Sequence, residues 1–140
     1  MKSWNQKLDG FKPSKVKICP MDIAGMKSGQ RMLVPDGGDV ADFIRQIPVG
    51  ESMDVKTLRT ELAKHHGAEV TCPITMGFIL RALAEVTFEQ LNSSADTGPL
   101  TPVWRVIDES TPTFKKLRDP QFIRDMRHRE SLSDDTVSIR

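Results

Sequence analysis

Two helical patterns separated by a short connector constrain this chain more than anything else in it. Asp54 precedes Val55, Leu58 and Leu62, which share one helical face. Its carboxylate is placed to accept from the free amides of that helix's first turn. Gly67 suits the C′ position that ends the helix, where a left-handed backbone is needed. After the connector Ala68 to Thr71, Pro73 suits the first position of a further helix, because its missing N–H would be unpaired there anyway. That helix is expected to run from about Pro73 to Leu91, roughly 28 Å. Met76, Ile79, Leu80, Leu83, Val86 and Phe88 cover more than one of its faces, so it is either largely buried or offers a second contact surface. Helix, short turn, helix at this spacing reads as a helix-turn-helix.

The flanks extend the pattern. Val40, Phe43, Ile44 and Ile47 mark one face of a preceding helix, ended by Pro48 and Gly50. Asn92 to Pro99 reads as a polar loop, and Val103-Trp104-Arg105-Val106-Ile107 has strand character before a turn at Asp108 to Pro112. Pro120 to Glu130 forms one amphipathic helix through Phe122, Ile123 and Met126. Three helices followed by a strand is winged-helix order, a mostly α fold with a small β component. Residues 1–35 are punctuated by Gly and Pro, with Val16-Lys17-Ile18 and Met32-Leu33-Val34 as short strands. They are expected to form a basic arm or small hairpin lying on the core. The reading is thus an arm (1–35), a winged-helix domain (36–130) and a frayed tail (131–140).

Length and composition limit the class. A chain of 140 residues makes one domain with a modest core, and its 38% hydrophobic content excludes wholesale disorder. No apolar run reaches the ~18 residues of a transmembrane helix, and Met1 to Pro13 lacks a signal-peptide core. No membrane partner is expected. Cys19 and Cys72 are too few for a disulfide framework or a zinc site, so a reducing cytoplasm is the default and neither metal nor cofactor is expected. Net charge is +1 but uneven: +5 over residues 1–35 and −5 over 36–100. A phosphate-binding role for the second helix has to answer that acidic block.

Several blocks carry a family resemblance. Ile47-Pro48-Val49-Gly50, followed by the capped helix containing Leu58, resembles the start of the DNA-binding domain of the O6-alkylguanine-DNA alkyltransferases. Pro102-Val103-Trp104-Arg105-Val106-Ile107 aligns with that family's Pro-Cys-His-Arg-Val-Ile signature. An uncharacterised bacterial branch of the family is closer still. The likeness there rests on Lys7-Leu8, Lys15-Val16, Leu62-Ala63-Lys64-His65-His66-Gly67, Cys72-Pro73-Ile74-Thr75-x-Gly77 and Thr101-Pro102-x-Trp104-Arg105. It spans about residues 5–107 and decays beyond, where Lys115-Lys116-Leu117-Arg118 replaces a glycine-rich loop. The resemblance implies a winged helix-turn-helix and double-stranded DNA, alkylated DNA included, as partner.

The departures from that family decide the chemistry. Alkyl transfer needs a thiolate and a base that takes its proton. The aligned positions hold Val103 and Trp104, so transfer through this motif is not expected. Binding without repair is compatible with such a loss, as in alkyltransferase-like proteins. Trp104 then has two readings, a packed core residue or an aromatic on which a displaced base stacks. Thr75 and Gly77 lie at the start of the recognition helix, where Ile74 aligns with the family's base-displacing arginine. Arg81 is read as a phosphate contact or a solvated charge. Arg105, Lys15 and Lys17 complete the candidate DNA-contacting set. Cys72 precedes a helix whose dipole can lower a thiol pKa, with His65 and His66 upstream, so a reactive thiol stands against a buried structural one. A further alternative is a degenerate winged helix that binds a protein partner.

Overall fold

The structure, a computed structural model, describes residues 2–93 and 98–132. Its order is α1 (Trp4–Asp9), β1 (Lys15–Ile18), β2 (Arg31–Val34), α2 (Gly37–Arg45), α3 (Val55–His65), β3 (Val70–Thr71), α4 (Pro73–Leu91) and α5 (Gln121–Arg129). Two 3-10 segments, Val103–Arg105 and Pro112–Lys116, lie between α4 and α5. The fold is mixed α/β, rich in helix, with one three-stranded sheet in the order β1-β2-β3.

Caps and stops follow local chemistry. Asp54 Oδ1 accepts from the Thr57 amide at 2.7 Å, starting α3, and that bond holds the Asp54 carboxyl below its ordinary pKa. Gly67, at φ +69°, ends the helix in the left-handed region. Pro73 opens α4 as its first residue. Asp36 caps α2 through the Asp39 amide. Ser3 and Gln6 form a reciprocal capping box on α1, a helix not anticipated although its Ser-x-x-Gln signature is in the sequence.

The core lies where α4 crosses the other helices. Ile79, Leu80 and Ala84 of α4 join Val40 and Ile44 of α2, Leu58 and Leu62 of α3, Leu33 of β2 and Ile123 of α5. Burying a Leu, Ile or Val side chain stabilises by about 1.5–3 kcal/mol, so this cluster dominates folding. α4 is apolar on several sides because it is central, and α1 packs along it.

Residues 1–35 are woven into this structure. β1 and β2 form an antiparallel hairpin with Lys17 opposite Met32, and β2 pairs in parallel with β3, Leu33 opposite Thr71. One sheet face sends Leu33 into the main core. The other carries Met32, which joins Cys19, Met26 and Cys72 in a second, smaller cluster.

One expectation is overturned. Residues 103–107 are not a strand: Val103–Arg105 is a 3-10 turn, and Val106 and Ile107 follow without sheet partners. β-propensity measures fit to a half-buried pleated surface. Here all five consecutive residues are buried, Val103 and Ile107 completely, so side chains must radiate in several directions at once. A tight helical turn does that and a strand does not. The polar loop falls partly, and the tail largely, outside the described residues.

Candidate nucleic-acid interface

α4 leaves one outward stripe at its N-terminal half. Ile74 and Phe78 are 48% and 63% exposed, and Arg81 follows on the same side one turn on. A groove of about 430 Å³ runs along this stripe, closed by the start of α3 and by the 3-10 segment at Pro112. That is the size range of small-ligand pockets, ~300–1,000 Å³. Arg59, Arg81 and Lys116 are its charged lining residues, and no acid lines it. Thr75 is half-buried and donates toward Cys72 Sγ at 3.5 Å. Gly77 lines the groove, with no atom within 4 Å of where a Cβ would stand.

Five of the acids of the 36–100 block are engaged in caps and pairs. Asp36 and Asp54 cap helices. Glu85 is 2% exposed beneath α4, accepts from the Arg118 amide at 2.9 Å and lies 3.9 Å from Arg81 Nε. Glu89 faces Arg118 at 3.8 Å and Glu69 faces Arg31 at 3.6 Å. No acid thus stands in the groove lining itself, while Glu85 sets a buried carboxylate beside Arg81. The Arg81 guanidinium lies over the Trp4 ring at 5.1 Å, with Lys7 over the same ring at 4.1 Å.

Trp104 and Arg105 stand apart from this groove. Trp104 is 4% exposed and donates its indole N–H to Glu130 Oε2 at 2.7 Å. Arg105 clamps the same carboxylate through Nε and Nη2, both at 2.9 Å, and donates from Nη1 to the Ile47 carbonyl at 2.7 Å. The Gly50 amide also donates to Glu130, and Arg127 donates to the Trp104 carbonyl. These hydrogen bonds, Arg105 foremost, pull the Glu130 carboxyl down to about 2. The arrangement ties α5 to the turn after α2, and of the two readings of Trp104 it realises packing. Glu130 was missed from sequence: a buried arginine demands a carboxylate, but nothing in the local pattern says which of many supplies it.

Cys72 is buried, 8% exposed, among Cys19, Met26 and Met32. His65 packs edge-on against Phe43 and His66 lies 3.5 Å from Asp39, so both are engaged away from the thiol. Lys15 and Lys17 are exposed on β1 and are not among the groove residues. No helix of the described residues is long and apolar enough to cross a membrane. Comparison with family models, with curated proteins and with solved structures finds no match to the chain.

Proposed function

We propose that this protein is a non-catalytic DNA-binding module in which α3 and α4 act as a helix-turn-helix and the N-terminal half of α4 meets the duplex. The observation that carries this reading is the groove along α4, with three cations and no acid in its lining. Arg59, Arg81 and Lys116 contact phosphates, while Phe78 and Ile74 supply apolar bulk of the kind that wedges between base steps. A winged-helix topology is supported by one bond, Met53 N–H to the Arg105 carbonyl at 2.8 Å, which joins the segment before α3 to that after α4. The sequence resemblance to alkyltransferase DNA-binding domains adds alkylated guanine as the favoured target. Val103 has no nucleophile and is fully buried, so the lesion is held without transfer.

Fluorescence anisotropy with two duplexes, one bearing O6-methylguanine, at low and near-physiological salt tests this. Lesion preference that persists at the higher salt supports base-level recognition. Equal, steeply salt-dependent binding reduces the role to phosphate contact. Absence of binding at low salt overturns it. A second reading, a protein-interaction module, is favoured by the exposed Ile74 and Phe78, since apolar anchors of this kind also fill partner pockets.

A further inference from the structure

We propose that the open edge of β1 takes up an extended peptide of a partner protein, one that alternates acidic and apolar residues. Among the described residues β1 is the outer strand of the sheet, with all four of its residues exposed. The hydrogen-bond pattern shows which of them face outward. Cys19 N–H donates to the Gln30 carbonyl, and the Arg31 and Leu33 carbonyls accept from Glu69 and Cys72 on the β3 side. Alternation along an antiparallel pair then turns Lys15 and Lys17 toward β2 for backbone bonding. The N–H and C=O of Val16 and Ile18 are left pointing away from the sheet. An added strand can bond to those groups without disturbing any existing ladder bond.

Side chains specify what the strand must be. Val16 and Ile18 lie on the face of the sheet that carries Leu33, yet are 42% and 63% exposed. Lys15 and Lys17 occupy the other face, in line with Met32 and Val34. The carboxylates that touch the start of β1, Asp36 and Asp39, are already bonded to Ser14. A complementary strand therefore places apolar residues beside Val16 and Ile18, and acids beside Lys15 and Lys17. A second copy of this chain is the wrong occupant. The antiparallel registers that overlap the whole strand set Lys17 opposite Lys15 or Lys17 of the other copy, and like charges directly opposite destabilise.

A fluorescein-labelled peptide of repeating Glu-Val-Glu-Ile sequence, titrated against the full chain, tests the inference. Binding is expected, with new exchange protection at the Val16 and Ile18 amides. Val16→Pro removes an outward N–H on an edge strand, where proline is tolerated, and is expected to weaken binding at least about fivefold, the worth of one lost backbone hydrogen bond. Lys15→Glu with Lys17→Glu is expected to switch preference to a Lys-Val-Lys-Ile peptide. Equal binding of a scrambled peptide, unchanged affinity in both variants, or amide changes confined to the α4 groove overturns the proposal. So does a charge reversal that abolishes duplex DNA binding and leaves peptide binding intact, which would return both lysines to phosphate contact.

Discussion

The α4 groove and the Trp104–Glu130 knot are built from the same kinds of residue, arginines beside large apolar or aromatic side chains, and they come to opposite ends. In the knot, Arg105 is 11% exposed, gripped along its Nε–Nη2 edge by one carboxylate and bonded from Nη1 to the Ile47 carbonyl. In the groove, Arg81 is 41% exposed, its Nε makes no hydrogen bond among the described residues, and its guanidinium rests on the Trp4 ring. Burial with a matched counter-charge consumes a cation's binding capacity. Arg81 is held between the Trp4 ring and the buried Glu85 carboxylate, 3.9 Å from its Nε, and keeps part of its side chain at the surface. The difference separates an arginine consumed in holding the fold from one that stays partly at the surface.

The comparison is most sharply tested at Glu130. Glu130→Ala leaves the Arg105 guanidinium buried without its carboxylate, and is expected to destabilise the fold by about 3–5 kcal/mol in urea denaturation. A loss within about 0.5 kcal/mol would show that the knot is no more than a surface pair.

Stability should follow the same carboxyl with pH. Its folded pKa, about 2, lies below the ordinary value of 4.5, so the contribution is complete above that ordinary value and is lost as pH falls toward 2. The expected loss attributable to Glu130 is roughly 3 kcal/mol across that window, and Glu130→Gln should flatten it.

In the groove the effects move from folding to binding. Arg59→Ala and Lys116→Ala are each expected to change stability by no more than about 0.5 kcal/mol, while each lowers the salt slope of duplex binding by about one. Arg81→Ala also strips the buried Glu85 of its ion-pair partner and is expected to cost more in stability than either. Phe78→Ala should leave the melting temperature nearly unchanged and weaken duplex affinity. A Phe78→Ala variant that unfolds would place that ring in the core rather than at the interface.

A modest effect is also expected at Trp4. Trp4→Ala removes the ring beneath Arg81 and should cost about 0.5–1 kcal/mol, in stability or in duplex affinity according to which state the contact favours. A chemical-denaturation series paired with anisotropy separates the two.

The elements that local chemistry dictates were legible. Asp54 and Pro73 start their helices and Gly67 ends one, because a cap carboxylate, a missing N–H and a positive φ are properties of single residues. The hairpin strands at residues 16–18 and 32–34 were legible as short apolar and β-branched runs between Gly and Pro. The strand expected at 103–107 was not there, because propensity says nothing about burial on every side.

The amino-acid sequence by itself determined the three central helices, both ends of α3, the start of α4 and the apolar excess of α4, all of which follow from spacing within a turn or two. Only the tertiary structure decided which charges remain available. Asp36 and Asp54 went into caps, Glu85 into a buried pair with Arg81, and Glu69 and Glu89 into surface pairs with Arg31 and Arg118, while no acid lines the groove beside α4. Glu130, 25 residues from Arg105 in sequence, took that arginine out of play. A charge acts through its partners within a few ångströms, and those partners are set by packing across the chain rather than by position along it.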